Sequence, residues 1–133
     1  MSTATDKLIT AVDFVGIHTR DLERAGDFYG NTLGLRRSVW IPDRSFGEFE
    51  TGNLTLSLMN AEAMGLKHTE LRNPLAFHVD DVAGARATLE DRGVTFFGET
   101  LDTGVCHMAF FEDPDGNSLM LHHRYAPRVT EDS

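Results

Sequence analysis

The feature that most constrains this chain is an internal repeat at a spacing of 60 residues: Val15, Ile17, His18 and Asp21 recur as Leu75, Phe77, His78 and Asp81. Self-similarity at a fixed period marks a supersecondary unit that buries its apolar side by packing against a copy of itself. A helical pattern follows each copy. In the first, Leu22, Ala25, Phe28 or Tyr29, and Leu33 recur at helical spacing, with Asp21 placed as N-cap and Gly34 as the C-terminal stop. In the second, Val82, Ala85 and Leu89 do the same between Asp81 and Gly93. Strand patterns come next, over residues 37–41, 46–51 and 54–59 around the turn Gly52-Asn53, and over residues 94–97, 106–112 and 118–123 around the turn Asp113-Pro114-Asp115-Gly116-Asn117. The order is βαβββ, twice. The expected fold class is α+β, with modules at residues 10–59 and 74–124, a linker at 60–73 and a polar tail at 125–133.

Alternation along the strands sorts side chains onto two faces. Val15, Ile17, Leu54, Leu56, Leu58, Leu75, Phe77, Leu119 and Leu121 form an apolar set expected beneath the helices. The opposite set is Phe14, Gly16, His18, Thr55, Ser57, Met59, Pro74, Ala76, His78, Ser118, Met120 and His122. Wide exposure of Phe14, Met59 and Met120 is unfavourable, so this mixed face is expected to line a pocket rather than meet open solvent.

Composition narrows the setting. A chain of 133 residues forms one domain that buries roughly two-thirds of its unfolded surface. No apolar run approaches the ~20 residues of a membrane span, and the first seven residues lack the order of a secretory signal. A single cysteine, Cys106, excludes an internal disulfide framework and fits a reducing cytoplasm. A formal net charge of −9 repels nucleic acid and anionic membrane at long range. The expected partner is therefore a small organic molecule rather than nucleic acid or membrane.

The doubled βαβββ order, the segment DLERAGDFYGNTLGL at residues 21–35 and the turn FEDPDGN at residues 111–117 resemble the vicinal oxygen chelate superfamily. That group comprises glyoxalase I, extradiol dioxygenases and bleomycin-resistance proteins. The resemblance covers about residues 10–124 and implies two βαβββ modules forming a curved mixed-sheet cup. It also implies a homodimer. Its enzymes hold one divalent metal, with ligands at positions that fall here on Phe14, Ser57, Pro74 and Met120 when the repeats are anchored on Asp21 and Asp81. None of these is a histidine, glutamate or glutamine. Phenylalanine and proline donate nothing, and methionine is a soft ligand, so no metal or other cofactor is expected.

Three histidines share that face. His18 and His78 lie four residues beyond the ligand positions, ~13 Å along a strand, and His122 lies two beyond. They could orient a ligand by hydrogen bonding, serve acid–base chemistry, form a displaced metal site, or be structural. Trp40 and Phe46, flanking Pro42, are edge packing or a stacking wall. Cys106 reads as a small core or pocket residue, His107 depends on strand register, His123 faces away from His122, and His68 reads as a solvated linker residue. Asp113 and Asp115 are turn chemistry. The candidate ligand-binding residues are Phe14, His18, Trp40, Ser57, Met59, His78, Met120 and His122. The expected function is metal-independent binding of a small amphipathic or aromatic molecule. The alternative is a lyase, isomerase or dioxygenase using a relocated histidine site, with or without metal.

Overall fold

The computed structural model describes residues 7–128. The first repeat runs β1 (Phe14–His18), α1 (Leu22–Asp27), β2 (Arg36–Ile41), β3 (Phe46–Glu50) and β4 (Thr55–Met59). The second runs β5 (Leu75–His78), α2 (Val82–Asp91), β6 (Phe96–Asp102), β7 (Cys106–Glu112) and β8 (Ser118–Arg124). Residues 1–6 and most of the expected tail, residues 129–133, lie outside the described residues.

Both helices start on the same device. The Asp21 carboxylate accepts the Arg24 N–H at 3.0 Å and the Asp81 carboxylate accepts the Gly84 N–H at 3.1 Å, satisfying donors that a first helical turn leaves free. Gly34 and Gly93 follow the helical segments at φ +77° and +93°, a conformation a side chain resists. The first helix departs from the expected plain continuation to Leu33. Residues Phe28–Thr32 form a π-helical turn, with the Leu33 N–H donating to the Phe28 carbonyl at 2.9 Å. This widened turn accompanies the burial of both Phe28 and Tyr29, where one inward residue was expected; their rings meet edge to face at 5.3 Å.

The strands make two four-stranded sheets, ordered β1-β4-β3-β2 and β5-β8-β7-β6. In each, the first pair is parallel and the others antiparallel, so both sheets are mixed. Strand β6 runs past its expected end at residue 97 to Asp102, with an irregular pairing between Phe97 and Leu101. Gly98, Glu99 and Thr100 hid that continuation because a bulge breaks the alternation that signals a strand.

The expected apolar set does lie on the helix side. Ile17, Leu56, Leu58, Leu119 and Leu121 join Tyr29, Phe49, Leu89 and Phe111 in one core shared by both modules, and Val15, Leu54, Leu75 and Phe77 pack against it. Full burial of each such side chain stabilises the fold by roughly 1.5–3 kcal/mol. The modules are also fastened by polar groups. Asn117, fully buried, donates from Nδ2 to the His18 carbonyl at 3.0 Å and accepts the Leu71 N–H at 2.7 Å. Packing both helix sides into one core leaves the opposite face of each sheet outside. The result is an α+β, cup-like arrangement.

Candidate functional site

Register fixes which residues share each outer face. On the first sheet Phe14 pairs with Thr55, Gly16 with Ser57 and His18 with Met59, and β3 adds Phe46 beside Met59 and Glu48 beside Ser57. On the second sheet Ala76 pairs with Met120 and His78 with His122, while β7 adds Phe110 beside Met120 and Met108 beside His122. Phe14 is 55% exposed, and Ser57, at the centre of its sheet, only 2%. The Met59 methyl sits 3.7 Å from the point a Cβ on Gly16 would occupy, an ordinary packing distance that places the thioether over Gly16.

The faces are more apolar than the candidate residues alone imply. Ile41, which pairs with Phe46, Phe97, which pairs with Phe110, and Leu101, which pairs with Met108, also stand exposed on them. Sequence reading missed Glu48, Phe110, Met108 and Leu101 here because their faces follow from pairing across strands, which spacing within one strand does not reveal.

Trp40 is a correction. It was expected with the ligand-binding residues, yet β2 pairs it with Gly47 on the helix side. Its indole meets Phe49 edge to face at 6.3 Å, with the Arg37 guanidinium 4.5 Å from the ring. Gly26 and Gly47 accommodate it, since a Cβ on either would fall 2.5 Å from a ring carbon. Trp40 is core packing.

The imidazoles have separate surroundings. His18 Nδ1 accepts the Thr69 N–H at 3.0 Å, and its ring lies 6.0 Å from that of His68. His78 Nε2 is 3.2 Å from an Asp80 carboxylate oxygen, and its ring is 5.8 Å from His123. His107 lies 3.4 Å from Asp102, whose carboxyl is held below its ordinary range by the Gly104 N–H and by Tyr125, whose hydroxyl donates to it at 2.7 Å. His68 is another correction: expected to be solvated, its side chain is 1% exposed, and neither ring nitrogen has a hydrogen-bond partner. The linker folds back over the end of β1 and carries it inside. Cys106 is buried, as expected.

The residues at the four family ligand positions do not fit a metal centre. Phe14 and Ser57 share the first sheet, Met120 sits in the second and Pro74 precedes β5. They offer a ring, a hydroxyl, a thioether and no donor at all, which is no set for a hard or borderline cation. Among the described residues, no group of three or more His, Cys, Asp and Glu side chains is placed to hold a metal ion. His18 stands in one sheet, and His78 and His122 in the other.

Comparison with known proteins gives the family and the fold. The family model of the Glyoxalase/Bleomycin resistance protein/Dioxygenase superfamily matches residues 11–121. No curated protein matches. Among solved structures, TnmS3, an antibiotic-binding protein from Streptomyces sp. CB03234, shares 26% identity over 89% of this chain and 98% of its own, at a TM-score of 0.75. A member of the glyoxalase/bleomycin resistance protein/dioxygenase superfamily from Sphaerobacter thermophilus shares 27% identity over 87% and 98%, at 0.72. Lactoylglutathione lyase from Agrobacterium tumefaciens shares 18% over 86% and 93%, at 0.74, a likeness of fold. Among the described residues, no helix is long and apolar enough to cross a membrane.

Proposed function

Because this chain belongs to the Glyoxalase/Bleomycin resistance protein/Dioxygenase superfamily, we propose that it binds a small amphipathic or aromatic organic molecule on its outer sheet faces, without a metal centre. The observation that carries this reading is the make-up of those faces. Phe14, Ile41, Phe97 and Leu101 stand exposed there beside Met59 and Met120, and apolar surface of this kind marks a ligand or partner site. Methionine adapts to irregular ligands and the aromatic rings give contact area. His18, His78, His122 and Ser57 supply hydrogen bonds that orient the bound molecule. The similarity to an antibiotic-binding protein supports a binding role.

A second copy completes the cup. In the single chain, β1 and β5 are the outer strands of their sheets, so each offers an unpaired edge beside an open apolar face. A homodimer that sets one copy's first module beside the other's second module covers both. A relocated three-histidine centre within one chain is disfavoured, since among the described residues no group of three or more His, Cys, Asp and Glu side chains is placed to hold a metal ion.

The test is a thermal-shift screen of amphipathic aromatic compounds, followed by calorimetric titration of the best one against wild type, Phe14→Ala and Met120→Ala. Affinity should fall about tenfold in each variant, the loss expected from about 1.4 kcal/mol of buried contact. Equal affinity in all three proteins overturns the assignment. Light scattering should give twice the chain mass, and a monomer at micromolar concentration removes the second copy from the reading.

A further inference from the structure

The repeat is symmetric in topology and asymmetric at its seams. Where α1 meets the β7–β8 turn, the modules are locked by polar groups. The Asp115 carboxylate accepts Thr19 Oγ1 at 2.5 Å, the Arg20 N–H at 2.9 Å and Arg24 Nη2 at 3.1 Å, while the Tyr29 hydroxyl donates to Asp113 at 2.7 Å. The repeat spacing carries Thr19, Arg24 and Tyr29 onto Val79, Gly84 and Leu89, whose side chains form no hydrogen bonds. The facing turn is reduced to Gly52-Asn53, where the other seam has the longer Asp-Pro-Asp-Gly-Asn loop.

A cavity of about 700 Å³ occupies this second seam. Its walls come from α2, the segment between α1 and β2, the β3–β4 turn, the helix side of β4 and the whole length of the edge strand β5, with Leu33, Leu54, Leu75, Phe77 and Leu89 among them. The volume falls within the range of small-molecule pockets. Its charge runs against the rest of the molecule. A chain of net charge −9 places no carboxylate on this wall, which instead carries the Arg92 guanidinium, with the His78 imidazole beside it. Asp80 engages His78 at 3.2 Å, whereas Arg92 spends one donor on the Thr32 carbonyl, at 2.8 Å, and keeps the rest of its fork.

We propose that this cavity is a second binding site, taking an amphipathic monocarboxylate whose apolar chain fills the leucine-lined space and whose carboxylate meets Arg92. The site lies on the helix side of the sheets and meets the outer face only along the edge strand β5, at Ala76 and His78. An apolar tail suits walls that offer few hydrogen bonds, and a guanidinium is the side chain best shaped for a carboxylate.

Calorimetric titration of the full-length protein with decanoate tests this, with decanol as the uncharged comparison. Wild type should bind one decanoate per chain. Arg92→Met should weaken decanoate binding at least tenfold while leaving decanol binding unchanged. Ala85→Phe, which pushes a ring into the cavity from α2, should abolish both, with thermal unfolding confirming that the variant folds. Absence of saturable decanoate binding, or an equal loss for decanoate and decanol in Arg92→Met, overturns the proposal. Loss of decanoate binding in Met120→Ala also overturns it, by moving the molecule to the outer faces. So does binding that appears only after residues 2–12 are deleted, because the chain's own exposed Leu8 and Ile9 would then be the cavity's occupants.

Discussion

The Tyr29 hydroxyl donates to a buried Asp113 carboxylate oxygen at 2.7 Å, tying the helical segment of the first module to a turn 84 residues away in the second. The same carboxylate accepts three further bonds: the Asp115 N–H at 2.9 Å, the Asn117 N–H at 2.9 Å and Asn117 Nδ2 at 2.7 Å. Asp113 is therefore the organising group of the turn, and Tyr29 is the strut that fixes the turn to the other half of the protein.

Removing the strut gives a signed pH effect. Burial first, and the Asp113 charge second, hold the Tyr29 hydroxyl well above its ordinary value of 10.0. A group whose folded value is raised stabilises fully below its unfolded value and loses that contribution as pH rises toward the folded one. Tyr29→Phe should cost about 1–3 kcal/mol at neutral pH, because it deletes a buried hydrogen bond to a charged acceptor. Above about pH 10 the wild type weakens and the gap narrows. Urea unfolding at neutral pH and near pH 11 measures both. A gap that widens in alkali would contradict the geometry.

Trp40 gives a steric prediction. A Cβ on Gly26 would lie 2.5 Å from Trp40 Cη2, and the indole is held on its other side by Gly47. Gly26→Ala should therefore cost about 1–3 kcal/mol by overpacking, despite the better helix propensity of alanine. Trp40 is the chain's single tryptophan. Its emission should shift to the red in this variant, and an unshifted, equally stable variant would show that the ring has room to move.

Metal content is a third check. With Phe14, Ser57, Pro74 and Met120 at the family positions, gently purified protein should carry well under one equivalent of zinc, nickel, iron or manganese per chain. EDTA should leave its melting temperature unchanged. Mass-spectrometric metal analysis decides this. A full equivalent that disappears in His18→Ala, His78→Ala or His122→Ala would favour the relocated histidine site.

Periodicity carried most of the fold because each helix and strand shows one side to the core, and the period of that side is written locally. Asp21 and Asp81 as caps, and the burial of Leu56 and Leu119, follow from spacing alone. Three things were not legible. The π turn after α1 keeps helical spacing, so Phe28 and Tyr29 look like alternatives when both are buried. Trp40 sits across a bulge between Arg37 and Val39, which shifts the alternation of β2 and sends it to the core. Asp115 reads as turn chemistry, and its bonds to Thr19, Arg20 and Arg24 depend on packing between elements more than 90 residues apart.

His68 supports the last prediction. Its side chain is 1% exposed, both ring nitrogens lack hydrogen-bond partners, and the Glu70 carboxylate stops at 3.9 Å. A buried polar group left unpaired costs about 1–3 kcal/mol relative to an apolar group of similar shape. His68→Leu should therefore leave stability unchanged or raise it by up to about 2 kcal/mol. His18→Leu provides the contrast, because His18 Nδ1 accepts the Thr69 N–H at 3.0 Å and its loss frees that donor. Urea unfolding of both variants at neutral pH makes the comparison. A His68→Leu variant less stable than wild type by more than about 1 kcal/mol would mean that the imidazole is satisfied in solution. A bridging water would then be the group to find beside it.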